Sequence, residues 1–251
     1  MSNQLHVVNP SAGRRSIGAF EHLSDCRQKW GRNIGIPRHR HAEGYAALVL
    51  SGGFQECGNR GRFNVGPGDL LLHGAFDTHL DHVFIVGAEV LHLRLPGLNP
   101  IPHSFARVRD PDLIVRTAET DPISAMDILC EQMSPVAHVP EDWPDLLVAA
   151  LNEDPNRRPE DWAEMHGLDL QDVGQRFSRI YGVSLETFRS EIRAHKAFEQ
   201  IVKGTDLLGK VLETSGFTTE IHLSRAIRSL TGATPKSWVE RATLPYFEVT
   251  G

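Results

Sequence analysis

The chain has 251 residues, 40% of them hydrophobic, which is enough for two ordinary domains with a core in each. A formal net charge of -6 at pH 7 excludes a general basic coat for nucleic acid but leaves room for a local basic face. Cys26, Cys57 and Cys130 are odd in number, far apart and without a Cys-x-x-Cys pair, so neither a disulfide framework nor a zinc ribbon is expected, and a reducing compartment is.

The N-terminus lacks a basic-then-apolar leader, and no apolar run approaches the ~20 residues of a membrane helix, so a soluble cytoplasmic protein is expected. Residues 1 to about 34 carry two aromatic anchors, Phe20 and Trp30, among polar residues, and predict an irregular lead-in with at most one strand. From Pro37 onward the pattern changes to short apolar or alternating runs punctuated by glycine. Tyr45–Leu50, Phe63–Val65, Leu70–Leu72, Val83–Val86 and Val90–Leu95 predict strands, with turns at Ser51-Gly52-Gly53 and at Gly66-Pro67-Gly68-Asp69. Strands this short and this closely spaced predict a small β-sandwich or barrel. His39 and His41 stand two apart, so on a strand they point the same way, and imidazole suits zinc, iron, nickel or copper.

Between Leu98 and Pro140 prolines are frequent, and Pro122 to Met133 predicts a helix bearing Ile123, Met126, Ile128 and Leu129. That helix either packs two chains together or caps the barrel's own core. Trp143 to Leu151 predicts an amphipathic helix, broken at Asn152-Glu153-Asp154-Pro155. The stretch from Glu141 to Glu164 holds 8 acidic against 2 basic residues and is expected to face away from any polyanion.

The most organised stretch runs from Ala163 to Arg241, where one pattern occurs twice. Val173, Phe177, Gly182, Ser184 and Phe188 return fifty residues later as Leu223, Ile227, Gly232, Thr234 and Trp238. The leading glycines, Gly167 and Gly216, show that the second copy has one extra residue after its turn. Each copy reads as a helix, a glycine turn and a second helix with an apolar i, i+4 stripe; Asp169 in the first copy and a threonine in the second cap the second helix. Two helix-turn-helix units are the expected result. From Asp169 to Arg241 there are 11 basic and 9 acidic residues, a local balance of only +2.

In Gly216-Phe217, Leu223-Ser224-Arg225 and Gly232-Ala233-Thr234-Pro235, with Arg193 and Ala197 between the units, the sequence resembles the AraC/XylS family of transcriptional regulators. The resemblance covers about the last two fifths of the chain. It implies an all-α domain of two helix-turn-helix units, joined by a long helix, that binds double-stranded DNA. The second helix of each unit is then expected in the major groove, with Gln171, Gly174 and Gln175 in the first unit and Glu220, His222 and Arg225 in the second facing bases, and Arg179 and Arg228 gripping phosphate. The second unit departs from the family in carrying Gly209, Leu212 and Ile227, which predicts a looser packing of its helices.

The N-terminal half resembles the cupin barrel that serves many of these regulators as a sensor, through His39-Arg40-His41, Tyr45, Gly52, Pro67-Gly68-Asp69 and His79. This likeness implies that His39, His41, Tyr45 and His79 line a site for a small-molecule effector, and that His39, His41 and His79 are candidate ligands of a divalent metal. Tyr45 stands where metal cupins carry a glutamate ligand, with Glu43 as a substitute; His73, His82 and His92 rank lower. The expected organisation is a cupin-like all-β barrel over residues 1–120, a connecting helix over 121–140 and the DNA-binding domain over 141–251, assembled as a homodimer. The expected function is that of a ligand-responsive, sequence-specific transcriptional regulator and not an enzyme. The alternatives are a small metal-dependent cupin enzyme and a DNA-free interaction protein.

Overall fold

A computed structural model describes residues 26–95, 97, 103–137, 139–204 and 208–243. The expected lead-in, Phe20 included, lies outside the described residues apart from its last few positions. The chain divides into two compact units. One runs to Leu146 and takes in Ile180–Gly182; the other comprises Leu147–Arg179 and the chain from Val183 onward.

The first unit is built on one antiparallel sheet of β1 (Cys26–Trp30), β2 (Gly35–Arg40), β3 (Tyr45–Gly58), β4 (Gly61–Val65), β5 (Asp69–His73), β6 (Thr78–Arg94), β7 (Phe105–Val108) and β8 (Met133–Pro135). The strand order is β1-β6-β3-β5-β7-β8, with β2 also paired to β6 and β4 also paired to β3. The turn expected at Ser51-Gly52-Gly53 is not a turn, because β3 runs straight through it; likewise Val83–Val86 and Val90–Leu95 are two stretches of one strand, β6. Gly52 (φ 68°) and Gly87 (φ 78°) meet where these strands cross, and a Cβ on Gly52 would lie 2.0 Å from Gly87 O. The pairing register shifts on both sides of this point. Two glycines in left-handed conformation therefore bend the strand pair without ending it. Each long strand then serves two partners besides the other, β3 pairing with β5 over Tyr45–Leu48 and with β4 over Phe54–Gly58, and β6 pairing with β1 and β2.

The two-residue strand period sorts side chains between two cores. Tyr45, Ala47 and Val49 join Phe54, Phe63, Leu71, Val83 and Val90 inside the folded sheet. Ala46 and Leu48 instead join Leu70, Leu91 and Leu93 on the other face, under α1 (Pro111–Ala118) and α2 (Pro122–Gln132). The sequence reading missed α1 and the strands β7 and β8. The helix start was nevertheless marked, since Asp110 accepts from Leu113 N (3.0 Å) ahead of Pro111, and Asp121 and Pro122 repeat that device at α2. Ala125, Met126 and Leu129 of α2 are buried in the outer core, whereas Ile123 is 78% exposed. Arg62 on β4 binds Asp142 (2.6 Å), Asp145 (2.9 Å) and Glu141 (3.5 Å), which ties the start of the acidic stretch to this unit.

The second unit holds the rest of α3 (Trp143–Glu153), α4 (Pro159–Met165), most of α5 (Leu170–Tyr181), α6 (Leu185–Lys203), α7 (Leu208–Ser215), α8 (Glu220–Thr231) and α9 (Pro235–Thr243). The repeat in the sequence is a repeat in space: Gly167 and Gly216 take φ of 64° and 75°, and Gly182 and Gly232 take 72° and 77°. Asp169 Oδ1 accepts from Gln171 N (2.8 Å) and Asp172 N (3.1 Å), and Thr219 Oγ1 from His222 N (3.3 Å), so both second helices are capped as expected. Val173, Phe177 and Phe188 are buried in the first copy, as are Leu223, Ile227 and Trp238 in the second. Phe177 meets Phe188 edge-on at 5.0 Å, and Trp238 meets Phe198 at 5.1 Å while donating to Thr231 Oγ1 (2.7 Å).

Gly209 sits inside α7 with nothing within 4 Å of where a Cβ would be. Gly209→Ala is therefore expected to stabilise the protein by about 0.5–1 kcal/mol, read as a raised urea midpoint at unchanged slope.

Candidate functional site

Two groups of side chains carry chemistry, one in each unit. Inside the folded sheet, β2 brings His39, the following residues bring His41, β3 brings Tyr45 and β6 brings His79. His41, Tyr45 and His79 are buried and His39 is half-buried. Their rings converge, with centroids 4.3 Å apart for His39 and His79, 4.9 Å for His39 and His41, 4.9 Å for His41 and Tyr45, and 5.8 Å for His41 and His79. One nitrogen from each of His39, His41 and His79 lies within 4.8 Å of the others. Nδ1 of His39 is 2.9 Å from Pro37 O. That contact makes Nδ1 the N–H and leaves Nε2 as the free lone pair, the arrangement that orients a metal-binding imidazole. The three imidazoles fit a divalent transition-metal ion in donor type and spacing.

Tyr45 takes no ligand position of its own. Its Oη shares a hydrogen bond with His79 Nε2 (3.1 Å), and its ring stacks on His73 at 4.3 Å. Glu43, the expected substitute, is half-buried and pairs with Arg94 at 3.4 Å, so it does not replace the motif carboxylate. Among the buried carboxylates is Glu56, which the sequence reading missed, and beside it stands His73, which that reading ranked low. Glu56 Oε2 lies 3.3 Å from His73 Nε2, and Glu56, His73 and His79 form a second fully buried group of ligand atoms within 4.8 Å of one another. The signal for Glu56 was present but hidden. Because β3 does not turn at Gly52, the bend returns Phe54 and Glu56 to the inner face, a placement no alternation count from Tyr45 provides.

Electrostatics inside are set by burial. Desolvation first, and then His39, His73 and His41, hold the His79 imidazole well below its ordinary 6.5. Below pH 6.5 the unfolded chain takes up a proton that the folded ring refuses, so this contribution to stability is full above 6.5 and shrinks as pH falls from there. Burial and then Glu56 push the Asp81 carboxyl well above 3.8, and its contribution has the opposite sign, shrinking as pH rises above 3.8. The Cys57 thiol is pushed up to about 12, chiefly by burial, which makes it inert. In NMR titrations the His79 ring should protonate well below pH 6.5. Tyr45→Phe, which strips His79 Nε2 of its partner, should cost about 1–3 kcal/mol in urea unfolding.

The second group is on α5 and α8. Gln171, Gln175 and Arg179 on α5 and Glu220, His222, Arg225 and Arg228 on α8 are all exposed, on faces turned away from the buried stripes Val173/Phe177 and Leu223/Ile227; Gly174 is half-buried. Among the described residues, no hydrogen bond or ion pair ties Arg225 to Glu213 or to another carboxylate. Ile221, unremarked in the sequence, is 70% exposed in the first turn of α8 and adds an apolar contact to this face.

The strand-rich unit thus carries an interior histidine cluster, and the helical unit carries two capped second helices in a tandem helix-turn-helix arrangement. Residues 162–241 match the family described as "Helix-turn-helix domain". A comparison with curated proteins found no match. Among solved structures the chain is similar to a protein of unknown function from Listeria innocua, at 18% identity and TM-score 0.36 over 38% of this chain and 93% of that one. It is also similar to the C-terminal domain of AraT, a response regulator from Geobacillus stearothermophilus, at 19% identity and TM-score 0.35 over 41% and 86%. ToxT from Vibrio cholerae aligns at 10% identity and TM-score 0.41 over 87% and 99%. Among the described residues no helix is long and apolar enough to cross a membrane.

Proposed function

We propose that the protein is a ligand-responsive, sequence-specific transcriptional regulator, in which the N-terminal barrel senses an effector and α5 and α8 read DNA. The observation that supports this most is the doubled geometry of the helical unit. A side-chain cap, an apolar stripe and a closing glycine recur in both second helices, and Gln171, Gln175, Arg179, Arg225 and Arg228 are exposed. Gln171 and Gln175 suit two-pronged pairing with adenine and Arg225 suits guanine, while Arg179 and Arg228 sit one turn further on, where phosphates run. With a balance of only +2 over the reading region, the contribution from phosphate alone is small, and specificity rests on base edges.

The sensing role is supported by the inward convergence of His39, His41, Tyr45 and His79, since a β-barrel interior with a few polar groups is a default small-ligand site. The protein acts in the cytoplasm as a homodimer, the exposed Ile123 of α2 belonging to the face where two copies meet.

Selection of bound fragments from random genomic DNA identifies the operator, and fluorescence anisotropy on that site then tests the reading. Arg225→Ala should lose roughly 1–3 kcal/mol of binding and relax preference at one base pair, with an unchanged melting curve. A folded Arg225→Ala protein that binds as the parent does removes α8 from the interface. An even loss across sequences, with a salt slope lower by about one, reassigns Arg225 to phosphate.

A further inference from the structure

We propose that the barrel interior holds one divalent transition-metal ion on Glu56, His73 and His79, and that this ion is the effector; the second half of the statement rests on the regulator reading above. The cupin likeness points to His39, His41 and His79, but it leaves that set without its carboxylate. Tyr45 fills the motif position with a phenol bonded to His79, and Glu43 is outside on Arg94. Glu56 supplies the missing charge from eleven residues further along the same strand, past the bend at Gly52. It is 6% exposed, and its polar contact is His73.

Three further observations favour this set. Its members come from three neighbouring strands, β3, β5 and β6, and all three are buried, whereas His39 of the other set is open to solvent on one side. Their ligand atoms lie within 4.8 Å of one another. Donors about 2.0–2.2 Å from a shared ion stand roughly 3.3–4.2 Å apart, so an ion needs only a small inward shift of these side chains. Finally, His79 Nδ1 and Asp81 Oδ1 are buried without a hydrogen-bond partner among the described residues. Glu56 and Asp81 both lie in the interior, Glu56 3.3 Å from His73 Nε2 and Asp81 4.0 Å from His79 Nε2. A buried Glu56 carboxylate calls for a counter-charge, and a cation supplies it. Two imidazoles and one carboxylate select zinc, iron, cobalt or nickel over calcium or magnesium, which require oxygen donors. Because His79 belongs to both candidate sets, the barrel takes a single ion.

The test uses full-length protein freed of metal with a chelator and titrated with CoCl2 while visible ligand-field bands are followed. One cobalt ion per chain should bind, and ZnSO4 should displace it. Glu56→Gln and His73→Gln should each weaken cobalt binding by more than the roughly 10- to 100-fold that follows loss of a group that only orients a ligand. His41→Gln should weaken it by less than about tenfold. Glu56→Asp, which keeps the carboxylate, should recover part of the loss, and melting curves of the metal-free variants separate unfolding from lost ligation. Should the variants not fold, the wild-type protein decides alone: cobalt-shifted imidazole N–H signals numbering two uphold the site, and three overturn it in favour of His39, His41 and His79. Absence of cobalt uptake, or uptake lost in His41→Gln and kept in Glu56→Gln, also overturns it. Anisotropy on the selected operator with and without ZnSO4 tests the effector claim separately. A shift in affinity that vanishes in Glu56→Gln upholds it. Unchanged affinity with the ion bound overturns the effector claim and leaves the site standing.

Discussion

The first unit depends on the close approach of two backbones at Gly52 and Gly87. Any side chain at Gly52 would strike the Gly87 carbonyl, and both residues take a φ that side chains other than glycine rarely adopt. Without this crossing, β3 and β6 would lie flat against each other and each would serve fewer neighbours. With it, the sheet folds over, Phe54 and Val83 pack with Tyr45 and Val90, and a short row of polar side chains is trapped at one end of an otherwise apolar interior. Burial then determines how those side chains ionise. The His79 imidazole is held neutral well below its usual range and the Asp81 carboxyl is held protonated well beyond its own, because water is excluded before any specific partner is considered.

The helical unit rests on a different constraint, the burial of one stripe per second helix. Val173 and Phe177 in one copy, and Leu223 and Ile227 in the other, fix the rotation of α5 and α8 about their axes. Once that rotation is fixed, the opposite faces are fixed too. The residues available to a partner are therefore set by those that serve the core.

The two halves differed in how much of them could be read from sequence, and the reason is physical. A helix repeats its environment every 3.6 residues, so Val173, Phe177, Leu223 and Ile227 could be placed from spacing alone, and the capping residues marked the starts. The barrel's general character was equally open, since the apolar runs and their spacing imply short strands. What could not be read was whether a glycine ends a strand or bends it. Ser51-Gly52-Gly53 has the composition of a turn, and only the opposing Gly87, thirty-five residues away, makes it a bulge. Every residue beyond it then changes face relative to a simple count, and Glu56 was lost for that reason. His73 was underrated for a related one: its importance comes from Glu56, across the interior on another strand. Likewise β7 and β8 were missed because their pairing is with β5 and with each other, and nothing local in a proline-rich stretch announces a distant partner.

The alternation along β3 has a mechanical side. Tyr45, Ala47 and Val49 line the interior, while Ala46 and Leu48, on the same five residues of backbone, carry the packing of α1 and α2. A close-packed interior transmits displacement with little loss, because there is no free volume to absorb it. The strand thus behaves as a thin partition with cargo on both sides. A shift of Tyr45 by a fraction of an ångström is therefore passed to Ala46 and Leu48, and from them to Met126 and Leu129 in the outer core. The outer helices are in this sense mounted on the reverse of the wall that lines the interior.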